Sequence, residues 1–236
     1  MINHPPELFE KLITEHRHFR IKLLGDSITH GVGGTGFQQN GEQIVGIFSR
    51  NPDGYCWAKL FADYMQKTYP CEVINNACTG TDIGFIIQNF DALVSDEDDL
   101  ILCMIGTNNR HQFFAQKPKH TREEHMDAFY GRIPELYDRF RAAGKTVIFM
   151  ANIPASEENE RDGADYWRIL HMNDINDLYK RASETYHIPF VSLYDLFSDY
   201  CRENRIVLDT LLADGLHPND EGYRVMFELL KKTFHI

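Results

Sequence analysis

Leu100-Ile101-Leu102-Cys103-Met104-Ile105 is an unbroken apolar run, closed by Gly106 and preceded by Asp96-Glu97-Asp98-Asp99. A strand with one wet face alternates apolar and polar residues. A run without alternation reads as a strand buried on both faces, at the centre of a parallel sheet with helices over each side. Four more strand candidates flank it: Arg20–Leu24, Glu72–Asn75, Thr146–Met150 and Ile188–Val191, the last weakened by Pro189.

Helical periodicity fills the intervals. Trp57, Leu60, Phe61, Tyr64 and Met65 share one face, and so do Ile175, Leu178, Tyr179 and Ala182. Thr121 to Ala143 forms a long helical candidate, with Pro134 as a kink or fresh start and Gly144 as its stop. Asn219 is placed to cap a final helix, with Asp220 and Glu221 in its first turn and Lys231 and Lys232 near its end. This alternation predicts an α/β fold with a five-stranded parallel sheet, one domain over residues 1–236. Ligands in such sheets bind at the C-terminal ends of the strands. The loops after the first, third and fourth strands are therefore where chemistry is expected.

Charge and composition narrow the classes. Lys and Arg number 24 against 35 Asp and Glu, a net charge of −11, which disfavours nucleic acid and anionic membranes as partners. No run approaches the roughly 18 apolar residues of a membrane span. The stretch from Met1 lacks the basic and apolar regions of a signal peptide, so the expected location is cytoplasmic. Cys56, Cys71, Cys78, Cys103 and Cys201 are scattered without CxxC spacing and read as reduced thiols, Cys78 as a packed one.

Four segments carry candidate chemistry. The first strand runs into Gly25-Asp26-Ser27-Ile28-Thr29-His30-Gly31, where a sharp turn would present the Ser27 hydroxyl. A serine needs a base to become nucleophilic. Asp214-Gly215-Leu216-His217-Pro218-Asn219 holds one, and its spacing lets the carboxylate reach the imidazole and fix its tautomer. Asn108, in Gly106-Thr107-Asn108-Asn109, could donate to a developing oxyanion. Gly80, in Asn75-Asn76-Ala77-Cys78-Thr79-Gly80, could bring a backbone N–H close to a substrate. Taken singly, each segment is also ordinary turn composition.

Together and in this order, the segments resemble the GDSL esterase/lipase family, also called SGNH hydrolases. The resemblance spans Ser27 to His217, most of the chain. It implies a flavodoxin-like three-layer α/β/α sandwich with no metal and no organic cofactor. It implies Ser27 as nucleophile, His217 as general base and then acid, and Asp214 as its support. The implied oxyanion hole is the Ser27 and Gly80 backbone N–H groups with the Asn108 amide. Two positions depart from the common pattern: Asn109 stands where many members have Asp, and Ala77 where many have Gly. Both bear on loop detail and subfamily.

The substrate is read from the loops. Phe37, Asn109, Arg110, Phe113 and Trp167 are candidate contacts, since rings beside amides and a guanidinium suit an acylated sugar. The same rings serve equally as loop anchors. No long apolar stretch suggests a lipid-binding lid. The expectation is a serine esterase acting on a small-acyl, acetyl ester, with a carbohydrate or other small molecule as partner and the oligomeric state open. The alternatives are an acyltransferase on the same triad and a lipase- or thioesterase-type acyl hydrolase. A binding protein would have no need of all five residues, and a mononucleotide binder fits poorly because Asp26 stands where a phosphate would sit. His111, His120 and His125, near Glu123 and Glu124, match no metal-ligand spacing and are expected to be solvated, as are the acidic runs Asp96–Asp99 and Glu157–Asp165.

Overall fold

The computed structural model describes residues 4–15, 18–39, 41–46, 48–49, 54–111, 121–162 and 167–236. In chain order the elements begin α1 (Pro5–Glu15), β1 (Phe19–Gly25), α2 (Ser27–His30), β2 (Gln43–Val45), β3 (Phe48–Ser49), α3 (Trp57–Thr68) and β4 (Cys71–Asn75). They continue with α4 (Ile83–Gln88), α5 (Phe90–Leu93), β5 (Leu100–Met104), α6 (Arg122–Ala142), β6 (Thr146–Ala151) and α7 (Glu157–Glu160). The last are α8 (Met172–Tyr186), β7 (Phe190–Ser192), α9 (Leu193–Asn204) and α10 (Asp220–Phe234).

Five strands form one parallel sheet in the order β4-β1-β5-β6-β7. Numbered within the sheet this is 2-1-3-4-5, the flavodoxin-like order. The chain leaves β1 for one side and returns to the other, so a crevice opens beyond the carboxyl ends of β1 and β5. The pair β2–β3 is a separate antiparallel ribbon.

Strand side chains alternate between two cores, as the pleat requires. Ile21, Leu23, Leu100, Leu102, Met104, Ile148 and Met150 face one side. There they meet Phe9 of α1, Trp57 and Phe61 of α3, Phe197 of α9 and Tyr223 and Met226 of α10. Leu24, Ile101, Cys103, Ile105, Val147 and Phe149 face the other, against α4, α5, α6 and α8. The run from Leu100 to Ile105 is apolar throughout because it feeds both cores. Five strands between two helical layers make the three-layer sandwich expected.

Three readings change. Pro134 neither breaks nor restarts its helix; α6 runs through it, opened by a capping box between Thr121 and Glu124. The acidic run before β5 is not simply solvated. Lys22 is buried in the interior strand β1 and its ammonium lies 3.5 Å from the buried Asp98 carboxylate. A charge in that position needs a partner. Asp99 in turn accepts the Arg20 N–H at 2.8 Å. The unforeseen elements are α1, α2, α4, α5, α7, α9 and the ribbon. All five cysteines carry free thiols, and burial pushes Cys56 and Cys71 up to about 11. Among the described residues no helix is long and apolar enough to cross a membrane.

Candidate active site at the carboxyl edge of the sheet

The end of β1 admits only glycine, since a Cβ on Gly25 would lie 2.5 Å from the Met104 carbonyl oxygen. The chain then turns at Asp26, whose carboxylate caps α2 by accepting the Ile28 N–H at 3.1 Å. Ser27 is the first residue of that helix. Asp26 is wholly buried, and Asn152, just past β6, donates to it at 2.9 Å. The same amide lies 2.5 Å from Thr107 Oγ1, beyond the end of β5. Burial raises the Asp26 carboxyl above its ordinary value, against the hydrogen bonds from Ile28, Thr107 and Asn152. Three strand ends are thus bound together directly under Ser27.

His217 arrives from the far end of the chain. Its Nε2 lies 2.8 Å from Ser27 Oγ, and its Nδ1 lies 2.7 Å from Asp214 Oδ2. The spacing of Asp214 and His217 has a local cause. Asp214 Oδ1 accepts the N–H groups of Leu216 and His217 at 3.0 and 2.8 Å, folding the segment into an Asx-type turn. Burial works to raise the Asp214 carboxyl, but the two N–H groups and the His217 ring outweigh it and hold it below the usual range. The imidazole side chain is 15% exposed and the carboxylate 54%, so the ring is sheltered while the carboxylate meets water. Ser156 N–H holds the turn from outside, donating to the Gly215 carbonyl at 2.8 Å.

The second and third loops meet beside this line. Thr81 N–H bonds the Cys78 carbonyl at 3.2 Å, closing a turn with Gly80 in its third position at φ +82°. That is the position where a type II turn demands a positive φ. Cys78 N–H reaches the Gly25 carbonyl at 3.1 Å, tying the turn to the end of β1. Asn108 Nδ2 donates to the Thr81 carbonyl at 2.8 Å, and Asn109 Oδ1 accepts the Ile83 N–H at 3.1 Å. An amide nitrogen has two hydrogens, so one Asn108 bond stitches the loops together without exhausting its donors.

The candidate substrate contacts divide. Arg110 is a correction: it is 1% exposed, with Nε on the Thr107 carbonyl at 3.0 Å and Nη1 on Asn159 and the Glu160 carboxylate. It pins the loop after β5 to α7 and offers a ligand nothing. The run from Glu157 is accordingly not all solvated, because Glu160 must answer that buried guanidinium. Phe37 is half-buried, set edge-on to the His30 ring at 5.2 Å, as a loop anchor. Asn109 borders a cavity of about 460 Å³ with Asp82, Phe85, Gln88, His125 and Phe129. His125 is not a free surface group either, since its Nε2 lies 2.6 Å from the Asn109 carbonyl oxygen. Trp167 is 39% exposed. Phe113 and His120 lie outside the described residues. Asn152, Thr107 and His30 were not anticipated; the one signal for Asn152 and Thr107 is their place just past apolar strands.

A hydroxyl, an imidazole and a carboxylate thus stand in line at the carboxyl edge of a doubly wound sheet. The chain belongs to the GDSL-like lipase/acylhydrolase family, whose sequence profile matches residues 23–225. It is 27% identical over 237 residues to a multidomain esterase of Ruminococcus flavefaciens, covering 88% of this chain. It spans only 27% of that relative's length. Among solved structures, an acetylxylan esterase from Geobacillus stearothermophilus aligns with TM-score 0.66 at 19% identity, over 92% of this chain and 94% of that one. An alpha/beta hydrolase enzyme from the Lake Arreo metagenome aligns with TM-score 0.67 at 21% identity, over 92% and 95%. At such identities the likeness shows the fold.

Proposed function

We propose that this chain hydrolyses small-acyl esters, acetyl esters above all, with Ser27, His217 and Asp214 as its triad. The observation that carries the reading is the continuous line from Ser27 Oγ through the His217 ring to Asp214. With Nδ1–H given to Asp214, Nε2 is the basic nitrogen and faces the hydroxyl it must deprotonate. Ser27 Oγ attacks the ester carbonyl carbon while its proton moves to Nε2. The oxyanion is met by the N–H groups of Ser27 and Gly80 and by the Asn108 amide. Collapse expels the alcohol, which takes the proton from His217. Water, deprotonated by the same ring, then releases the acid and restores Ser27.

In the acetylxylan esterase of Geobacillus stearothermophilus, changes at one serine, one aspartate and one histidine are described as catalytic mutants. The last two are three positions apart there, as Asp214 and His217 are here. A further variant of that same enzyme is described as an acetyl-xylooligosaccharide esterase. These descriptions favour an acetylated carbohydrate as the substrate class. The test is a series of nitrophenyl esters of rising chain length beside acetylated xylooligosaccharides, each run with Ser27→Ala. Release of acetate from the oligosaccharides, lost in the variant, is expected. Fast turnover of long-chain esters without acetyl esters would overturn the substrate reading, and an undiminished variant the triad.

A further inference from the structure

His30 lies on the same short helix as Ser27, one turn on, and is 1% exposed. Its Nδ1 receives the Thr79 N–H at 3.1 Å and lies 3.0 Å from Thr79 Oγ1. A backbone N–H can only donate, so Nδ1 carries no proton and the ring is the Nε2–H tautomer. Burial lowers the pKa of the ring, with the Ser49 main chain of the ribbon strand β3 opposing. Thr79 immediately precedes Gly80, and Gly80 is exposed while Thr79 is half-buried. The peptide bearing the Gly80 N–H is therefore the middle of a turn held at three points: Cys78 N–H on Gly25, Thr81 O on Asn108, and Thr79 on His30.

The first of these ties the turn to the sheet and the second to the third loop. The His30 bond ties it to the helix that carries Ser27. An oxyanion hole works when its donors stand where the charge will form, before it forms. We propose that His30 is a positioning residue for the ester hydrolysis, using Nδ1 as an acceptor to hold the Thr79–Gly80 peptide in register with Ser27. The inference rests on the triad reading above and adds a residue to it. A group acting this way stabilises the transition state rather than the bound ester, so its loss falls on kcat and leaves KM nearly unchanged.

Two isosteres separate positioning from packing. In His30→Asn a side-chain oxygen falls near the place of Nδ1. In His30→Gln the polar atoms reach the place of Nε2 and the Nδ1 acceptor is lost. Both remove the ring that packs on Phe37, so packing alone predicts equal effects. With 4-nitrophenyl acetate, His30→Gln is expected to lower kcat about 10-fold or more, less than the ~10²–10³ of deleting a donor outright. His30→Asn is expected to stay within about 3-fold of the parent, with KM steady in both. Inhibition by methylboronic acid, which forms a tetrahedral adduct on a serine, should weaken in parallel with kcat. Melting temperatures of both variants report any folding defect. Equal kcat losses in the two variants, or a loss confined to KM, overturn the positioning role. Full activity in Ser27→Ala instead overturns the triad reading, a separate outcome of the same assays.

Discussion

Arg110 and Glu160 form an ion pair across 50 residues of sequence, with the guanidinium buried beneath the loop that carries Asn108. The Arg110 carbonyl also accepts the Ile169 and Leu170 N–H groups at 2.7 and 3.1 Å, so three segments converge on one residue. Removing the carboxylate strands a buried cation. Glu160→Ala is expected to destabilise the fold by about 3 kcal/mol. Arg110→Met, which removes the charge with its stem kept, should cost less. Urea unfolding of the two variants checks the order, and a larger loss for Arg110→Met would contradict the account.

The line through Ser27, His217 and Asp214 predicts a graded series. Ser27→Ala and His217→Ala should each lower kcat/KM by at least ~10³-fold, and the double variant hardly more, because the two act as a unit. Asp214→Asn should cost less than the ~10⁴ typical of a buried triad aspartate, since its carboxylate is 54% exposed and water can share its task. Steady-state kinetics on 4-nitrophenyl acetate reads all four.

Asn108→Ala tests the proposed amide donor to the oxyanion. Turnover should fall by ~10²–10³, roughly 3–4 kcal/mol of transition-state stabilisation. The lost bond to the Thr81 carbonyl adds a small stability cost of about 1 kcal/mol. A fall in melting temperature without the kinetic loss would assign Asn108 to loop stitching alone.

These predictions draw on residues of unequal legibility. The run Leu100–Ile105 announces a doubly covered strand because burial on both faces is written locally, one residue after another. Asp214 and His217 announce themselves for a similar reason, their Asx-type turn being made within four residues. Arg110 misled because an arginine after a strand is usually solvated, and its partner Glu160 becomes adjacent only in the fold. The buried contact of Asp26 with Asn152 needs the ends of β1 and β6 brought together, which no sequence window contains. Ile83, Ile86, Ile87, Phe90 and Leu93 do carry helical spacing, but Asn89 splits the stretch into α4 and α5. β7 ends at Ser192 and α9 begins at Leu193, so the strand's apolar pattern runs straight into that of the helix.

Asn152 yields its own test. Its amide donates to the wholly buried Asp26 carboxylate, and Asn152→Ala should leave that carboxylate one donor short, at a cost of about 1–3 kcal/mol. Asn152→Asp should be worse at neutral pH, because it sets a second carboxylate against the first. Its stability should partly recover as the pH falls and one of the pair takes a proton. Thermal unfolding at pH 7 and pH 5 distinguishes the variants.

His30 supplies a stability signature that a variant comparison isolates from the other histidines among the chain's 11. Burial lowers its pKa below the ordinary 6.5, with the Ser49 main chain opposing. The unfolded chain therefore binds a proton at His30 more readily than the folded one. The stability this group contributes is complete above pH 6.5 and is lost as the pH falls from there through the lower folded value. Protonation would also place a hydrogen on Nδ1, against the Thr79 N–H that now points at it. Melting temperature measured from pH 7.5 to 5.5 should decline more steeply in the parent than in His30→Asn, which cannot titrate. Parallel declines would mean that His30 takes up its proton equally in the folded and unfolded states, and the tautomer assigned from Thr79 would lose its support.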